Sequence, residues 1–262
     1  MVQKSRKKKS PPKETPDAEL MPLVEHLIEL RDRVVYSVLA LIAGFAISYM
    51  YAGEIYNFLV RPLAHIYGEE AGRRMIYTGL TEAFFTYMKL AFFGGFILAF
   101  PVIATQMYRF IAPGLYKKER DFLLPVLVAS PVLFAAGAAL VYYFIFPLAW
   151  RFFLGFESTG GEGQLPIQLE AKVSEYLSLV MTLIMGFGLA FQMPVILLLL
   201  ARVGLVSADM LVKRRKFAIV GIFIAAAVLT PPDVISQIGL AVPLLLLYEI
   251  SVLVIRRLEK KA

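Results

Sequence analysis

Residues 34 to 51, VVYSVLALIAGFAISYMY, run for 18 positions without a charge or a proline. At about 1.5 Å of rise per residue, a helix of roughly 20 apolar residues crosses the ~30 Å hydrocarbon core of a bilayer, so this stretch reads as a membrane span. Just upstream, PLVEHLIELRDR (22–33) places Leu23, Leu27, Leu30 and Val34 at helical spacing behind Pro22, which suits a first turn. An amphipathic helix therefore feeds into the span. Glu25 and Glu29 repel at i,i+4, while Glu29 and Arg33 attract at the same spacing. Further upstream, Met1 to Leu20 is Lys-rich (KSRKKK, PPKETP) with no apolar periodicity, a composition that cannot offset the entropy of ordering. It reads as a disordered basic tail. No short apolar region with a small-residue cleavage pattern follows it, so the first span is expected to remain in the protein.

The whole chain supports a membrane reading. Of its 262 residues 59% are hydrophobic and 18% charged, with mean hydropathy +0.70, well above the roughly 45 to 50% apolar content of soluble domains. A soluble domain is excluded. With no Cys and only His26 and His65, disulfides, thiolate chemistry and an imidazole metal site are excluded too, and no cofactor or metal is expected. A net charge of +7 would suggest nucleic acid in a soluble protein; here it concerns the two sides of a membrane, and no nucleic-acid partner is expected.

The expected fold class is all-α, a polytopic integral membrane protein of six spans near 34–51, 83–107, 122–150, 176–201, 217–230 and 238–255. They form a membrane domain over 21–257, flanked by the basic tail 1–20 and a short tail 258–262. Kinks are expected at prolines within the spans (Pro101, Pro131, Pro147, Pro194), and the last two spans are expected to be short, at roughly 21 and 27 Å. Most of the 27 Lys and Arg fall on one side of this alternation. They lie in the tail and pre-helix, in Arg109 to Arg120, in Arg202 to Lys216, and in Arg256 to Lys261. The other side holds Arg61, Arg73, Arg74, Arg151 and Lys172, with acids such as Glu54, Glu82, Glu157 and Glu175. The positive-inside rule then makes both termini cytoplasmic. The outer segments, about 52–82 and 151–175, read as caps, with a short helix near 56–67.

No phosphate-binding glycine loop, nucleophile triad or zinc-binding H-E-x-x-H occurs, so no enzyme is expected. Polar groups at membrane depth are the other candidates, because a charge there costs ~2.5 to 3.5 kcal/mol even on insertion scales. Lys89 reads either as a snorkelling side chain or as a site. Glu249 reads as a group reaching the interface or pairing with a base. Gln192 has two readings: an amide satisfying the carbonyl of Ala190 freed by Pro194, or a polar spot on a concave face for an incoming helix. In the first basic loop, FIAPGLYKKER (110–120), which follows Arg109, Glu119 sits among four bases when that arginine is included, as a salt-bridge partner would.

HLIELRDR (26–33), FIAPGLYKKER (110–120), AFQMPV (190–195) and LTPPDVISQ (229–237), in this order across about 21–257, resemble TatC, the polytopic signal-receptor core of the twin-arginine (Sec-independent) protein translocase. The resemblance implies a receptor and scaffold in the inner (cytoplasmic) membrane. It would bind twin-arginine signal peptides of folded cargo and join TatA- and TatB-type single-span proteins in an oligomeric complex driven by the proton-motive force. It implies that Glu29 and Glu119 receive the paired arginines, with Leu30, Arg31, Phe110 and Pro113 on associated motif positions. Thr230, Asp233 and Gln237 fall in the segment of partner contacts and the outer turn, and Pro62 matches a position in the first outer loop. Many members carry Glu where this chain has Gln192, so a proton-carrying role at that position is excluded here. The physical fit is direct: a planar guanidinium engages a carboxylate bidentately, so a pair of Arg calls for two separated acids. The alternative from another class, a secondary transporter of a small ligand, would require a midplane polar cavity and is opposed by the scarcity of midplane charges.

Overall fold

The protein is described by a computed structural model covering residues 23–68, 73–111, 123–161, 165–230 and 233–260. The basic tail expected over 1–20 lies outside the described residues. Within them the architecture is all-α: α1 (Leu23–Met50), α2 (Ala52–Tyr67), α3 (Glu82–Ile111), α4 (Leu123–Leu140), a π-helical turn (Val141–Ile145), α5 (Phe146–Leu154), α6 (Val173–Ala190), α7 (Met193–Arg202), α8 (Ala208–Lys213), α9 (Arg215–Leu229) and α10 (Val234–Glu259). Five stretches are long and apolar enough to cross a membrane: 27–50, 82–110, 125–154, 173–202 and 234–259. The fifth span of the sequence reading corresponds to α9, whose 15 residues amount to roughly 22 Å and fall short of that length.

The sixth span is not short. α10 runs for 26 residues, because Asp233 caps it ahead of the apolar run, its Oδ1 accepting from the Ser236 N–H at 2.6 Å. Its other end continues through Arg256 and Arg257 to Glu259. Only one of the two C-terminal helices is therefore short.

α1 lies along α3 and makes its most extensive packing there. Small residues allow this: a Cβ on Gly44 would stand 2.5 Å from the Gly95 carbonyl oxygen, and one on Gly95 would stand 2.6 Å from the Phe45 nitrogen. The backbones touch where any side chain would separate them. The far side of α1 stays bare, with Val35, Leu39 and Ile42 exposed, as on a helix facing lipid. The main core gathers Leu59 and Leu63 of α2, Leu90 and Phe93 of α3, Phe146 and Trp150 of α5, Leu177 to Phe187 of α6, and Leu240, Leu244 and Tyr248 of α10.

Two irregular points sit at prolines. In the third long stretch the Phe146 N–H reaches back five residues to the Val141 carbonyl, one position before Pro147, which widens the helix where that proline can give no hydrogen bond. In the fourth, α6 stops at Ala190 and α7 begins at Met193, with Pro194 in the new first turn.

The ends of the bundle are held differently. At the end bearing α2, Tyr142 and Tyr176 hydroxyls donate to the Phe58 and Leu59 carbonyls at 2.8 and 2.9 Å. Ile76 forms a backbone bridge to Lys172. Arg73 grips Glu157 bidentately at 3.0 and 2.9 Å, with its guanidinium 4.9 Å from the Tyr67 ring centre. That guanidinium, with the Leu169 N–H donating to the same carboxylate, holds Glu157 below the usual carboxylate range. The Glu82 carboxylate collects the N–H groups of Thr78 and Gly79 and the Ser174 hydroxyl, joining the start of α3 to the start of α6. Several acids of the outer segments are thus structural clamps.

Candidate functional site

At the opposite end, the first turns of α1 and the last turns of α3 lie side by side. Arg33 joins them: its Nη1 donates to the Gln106 side-chain oxygen at 3.2 Å and its Nη2 to Glu29 Oε1 at 3.0 Å. The i,i+4 attraction between Glu29 and Arg33 is realised. Glu29 is one-fifth exposed, and its second oxygen, Oε2, has no partner among the described residues. Leu30 beside it is exposed. Arg31 turns away to Asp32 at 2.7 Å and is largely solvated. Phe110 is half-buried one residue before the end of α3. Pro113 and Glu119 lie outside the described residues. α3 itself ends at Ile111, a few residues beyond Gln106.

Gln192 is buried, at 6% exposure, and turned inward. At the break after α6 the Phe191 N–H bonds four residues back to Phe187, but the Gln192 N–H bonds only three back, to Leu189. This tightening leaves the Gly188 carbonyl without that helical donor, and Gln192 Nε2 reaches it at 3.4 Å. The same nitrogen donates to the Ser130 carbonyl at 3.0 Å, and the Ser130 hydroxyl donates to Gln192 Oε1 at 2.5 Å. Tyr108 of α3 adds its hydroxyl to Ser130 at 3.3 Å. The amide therefore serves Gly188 and Ser130, where Pro194 alone suggested Ala190, because the helix tightens one turn ahead of the proline. Three helices, α3, α4 and α6, meet in one polar knot inside an apolar bundle. Ser130 and Tyr108 escaped the sequence reading; the available signal was a Ser immediately before a mid-span proline.

The remaining candidates lie apart from these two places. Thr230 and Asp233 are buried where α9 turns into α10; the Thr230 hydroxyl donates to the Ala226 carbonyl at 2.8 Å and Asp233 caps α10. Gln237 is half-buried one turn further on, and Pro62 is buried within α2. Glu249 pairs with Arg215 of α9 at 2.7 Å, which realises the pairing alternative. Lys89 is exposed on α3, on a groove with Phe92, Phe96 and Leu229. Among the described residues no cluster of His, Asp and Glu is placed to hold a metal ion.

Among the described residues, the helical bundle with five membrane-length apolar stretches is that of a polytopic membrane protein. The family model described as Sec-independent protein translocase protein (TatC) matches residues 25–243. The chain belongs to the TatC family. It is 52% identical over 240 residues to the Sec-independent protein translocase protein TatC of Magnetococcus marinus, covering 92% of this chain and 86% of that one. With the protein of the same description from Escherichia coli K12 it shares 42% over 234 residues, 89% and 88% of the two chains. A crystal structure of the twin-arginine translocase receptor TatC in DDM superposes with TM-score 0.74 at 37% identity, covering 88% of this chain and 99% of that one. The protein is accordingly a membrane component of protein translocation.

Proposed function

We propose that this chain is the receptor and core scaffold of a translocase that binds the twin-arginine signal peptides of folded proteins. Glu29 and Glu119 are the receiving acids, and Leu30, Arg31, Phe110 and Pro113 shape the surface around them. One observation carries the reading: Glu29 already holds a guanidinium at 3.0 Å through Oε1 while Oε2 stays open. A carboxylate in this state is positioned to take a second, incoming guanidinium, and a charge-assisted pair of this kind is worth ~1.5 to 3 kcal/mol. The second acid, Glu119, follows α3 in the sequence.

The same reading places both termini and the basic loops in the cytoplasm, in a multi-pass chain of the inner membrane with α9 as a sixth, thinned span in a membrane domain over 21–257. The chain acts without enzymatic chemistry, using the proton-motive force. TatA- and TatB-type single-span proteins dock along the α9–α10 flank, where Gln237 is accessible and Thr230 and Asp233 set the turn; Pro62 stiffens the outer cap. Gln192 contributes as the amide that holds the bundle in register.

The test is binding of signal peptides carrying Arg-Arg or Lys-Lys to purified wild type, Glu29→Gln and Glu119→Gln. Wild type should prefer Arg-Arg, and each variant should lose roughly ten- to hundredfold in that preference, the equivalent of ~1.5 to 3 kcal/mol. Equal weakening toward both peptides would reject direct reading of the arginines by these acids.

A further inference from the structure

Between α1, α2, α3 and α4 lies an apolar groove of about 700 Å³, walled by Ile47, Phe93, Ile97, Phe134, Ala135 and Ala139. A second cleft of about 560 Å³ opens at the α2 end and carries Arg61, His65 and Arg151. The two share Phe58, Tyr142 and Tyr143, whose centre is a stacked pair: the Phe58 and Tyr142 rings lie 4.4 Å apart and 1° from parallel. The Tyr142 hydroxyl is tied to the Phe58 carbonyl, so this wall is fixed. The apolar groove and the cationic cleft therefore adjoin across this aromatic wall, and together they form one amphipathic surface.

We propose that this surface binds a phospholipid with a net anionic headgroup, its acyl chain in the groove and its phosphate between Arg61 and Arg151. Three features of the site select this occupant. First, neither Arg61 nor Arg151 makes an ion pair with any described residue, so both guanidiniums are available to a phosphate, which they match as planar forks. Second, among the described residues no acid lines the cationic cleft; the ammonium of a zwitterionic headgroup would find no partner among them, which favours a phosphatidylglycerol type over phosphatidylethanolamine. Third, the groove has the length of an acyl chain. The groove follows α4 and the π-helical turn after it from Pro131 to Tyr143, roughly 18 Å of helix rise, close to the ~15 Å of one leaflet's hydrocarbon. The Tyr142 and Tyr143 rings at the junction sit where aromatic side chains favour the headgroup boundary.

The test uses the full chain purified in mild detergent, with lipid retention read by native mass spectrometry after addition of phosphatidylglycerol or phosphatidylethanolamine. Wild type should retain phosphatidylglycerol at least fivefold over phosphatidylethanolamine. The double variant Arg61→Gln/Arg151→Gln, both at exposed positions, should abolish that preference. Ala139→Phe leaves the arginines intact but fills the groove, and should lower retention of both lipids several-fold while glycerol phosphate binding is unchanged. Equal retention of the two lipids by wild type, or an unaltered preference in the double variant, overturns the proposal. So does a photoreactive side chain at position 139 that labels a protein helix and no lipid in native membranes.

Discussion

Replacing Gln192 with Leu keeps the volume of the side chain and removes its hydrogen bonding. The change deletes the bond from Ser130 Oγ at 2.5 Å, the bond to the Ser130 carbonyl at 3.0 Å and the long contact to Gly188 at 3.4 Å. The first two cross between helices; at about 0.6 to 1.7 kcal/mol for each interhelical bond in a membrane protein, their loss is worth roughly 1 to 3 kcal/mol. The third is too long to add much, but without it the Gly188 carbonyl loses the donor that compensates the tightened turn. Ser130→Ala removes only the hydroxyl and should cost about 1 kcal/mol, since the amide can still reach the Ser130 carbonyl. Because the two share a bond, the double variant should be less destabilised than the sum of the singles by at least ~0.5 kcal/mol. Denaturant titration of the purified proteins measures all four corners of this cycle, and signal binding per folded molecule should remain at the wild-type level. A Gln192→Leu protein as stable as wild type that has lost signal binding or partner assembly would refute this reasoning and turn the amide toward an incoming helix.

Gly95→Ala should destabilise by ~1 to 3 kcal/mol in the same titration, because its Cβ would stand 2.6 Å from the backbone of Phe45, which cannot yield as a side chain could; Gly53→Ala, with open space around it, is the matched control and should be neutral or better. Glu157 has a folded-state pKa below its unfolded value of about 4.3, so its contribution is complete above that value and is lost as pH falls through the lower, folded one. The thermal midpoint should hold from pH 7 to about 5 and fall below about 4, more shallowly in Glu157→Gln than in wild type. Extending α9 by four Leu before Thr230 adds roughly 6 Å to a helix of roughly 22 Å, which should relieve its mismatch with the bilayer and weaken partner docking or transport while sparing signal binding; unchanged transport in reconstituted vesicles would sink the thinned-flank idea.

The apolar runs and their charge flanks were readable because membrane insertion acts on each segment almost independently: a run such as 34–51 must be a helix whatever surrounds it. The i,i+4 pair of Glu29 and Arg33 was legible for the same reason, being local to one helix. For Glu249 a basic partner was one of two readings the sequence left open, but the partner's identity, Arg215 on the neighbouring helix, was not legible, because that contact spans 34 positions. The length of α10 was underestimated since the reading counted apolar residues, whereas the helix starts at the Asp233 cap and ends among charges that prefer water.

By itself, then, the sequence determined the all-helical membrane class, the two-sided charge distribution and the pairing of Glu29 with Arg33, all of which follow from hydropathy, sign of charge and spacing along one helix. Only the tertiary structure decided where Gln192 points, that Ser130 and Tyr108 complete its hydrogen bonding, that Gly44 and Gly95 let two backbones touch, and that Arg61 and Arg151 line one cleft that shares an aromatic wall with an apolar groove. Each of these joins residues from different helices. Inside a bilayer many pairings of apolar helices bury similar surface, so helix register is chosen by a few close-packed small residues and polar bonds, and the sequence distances between them carry no period from which the pairing could be read.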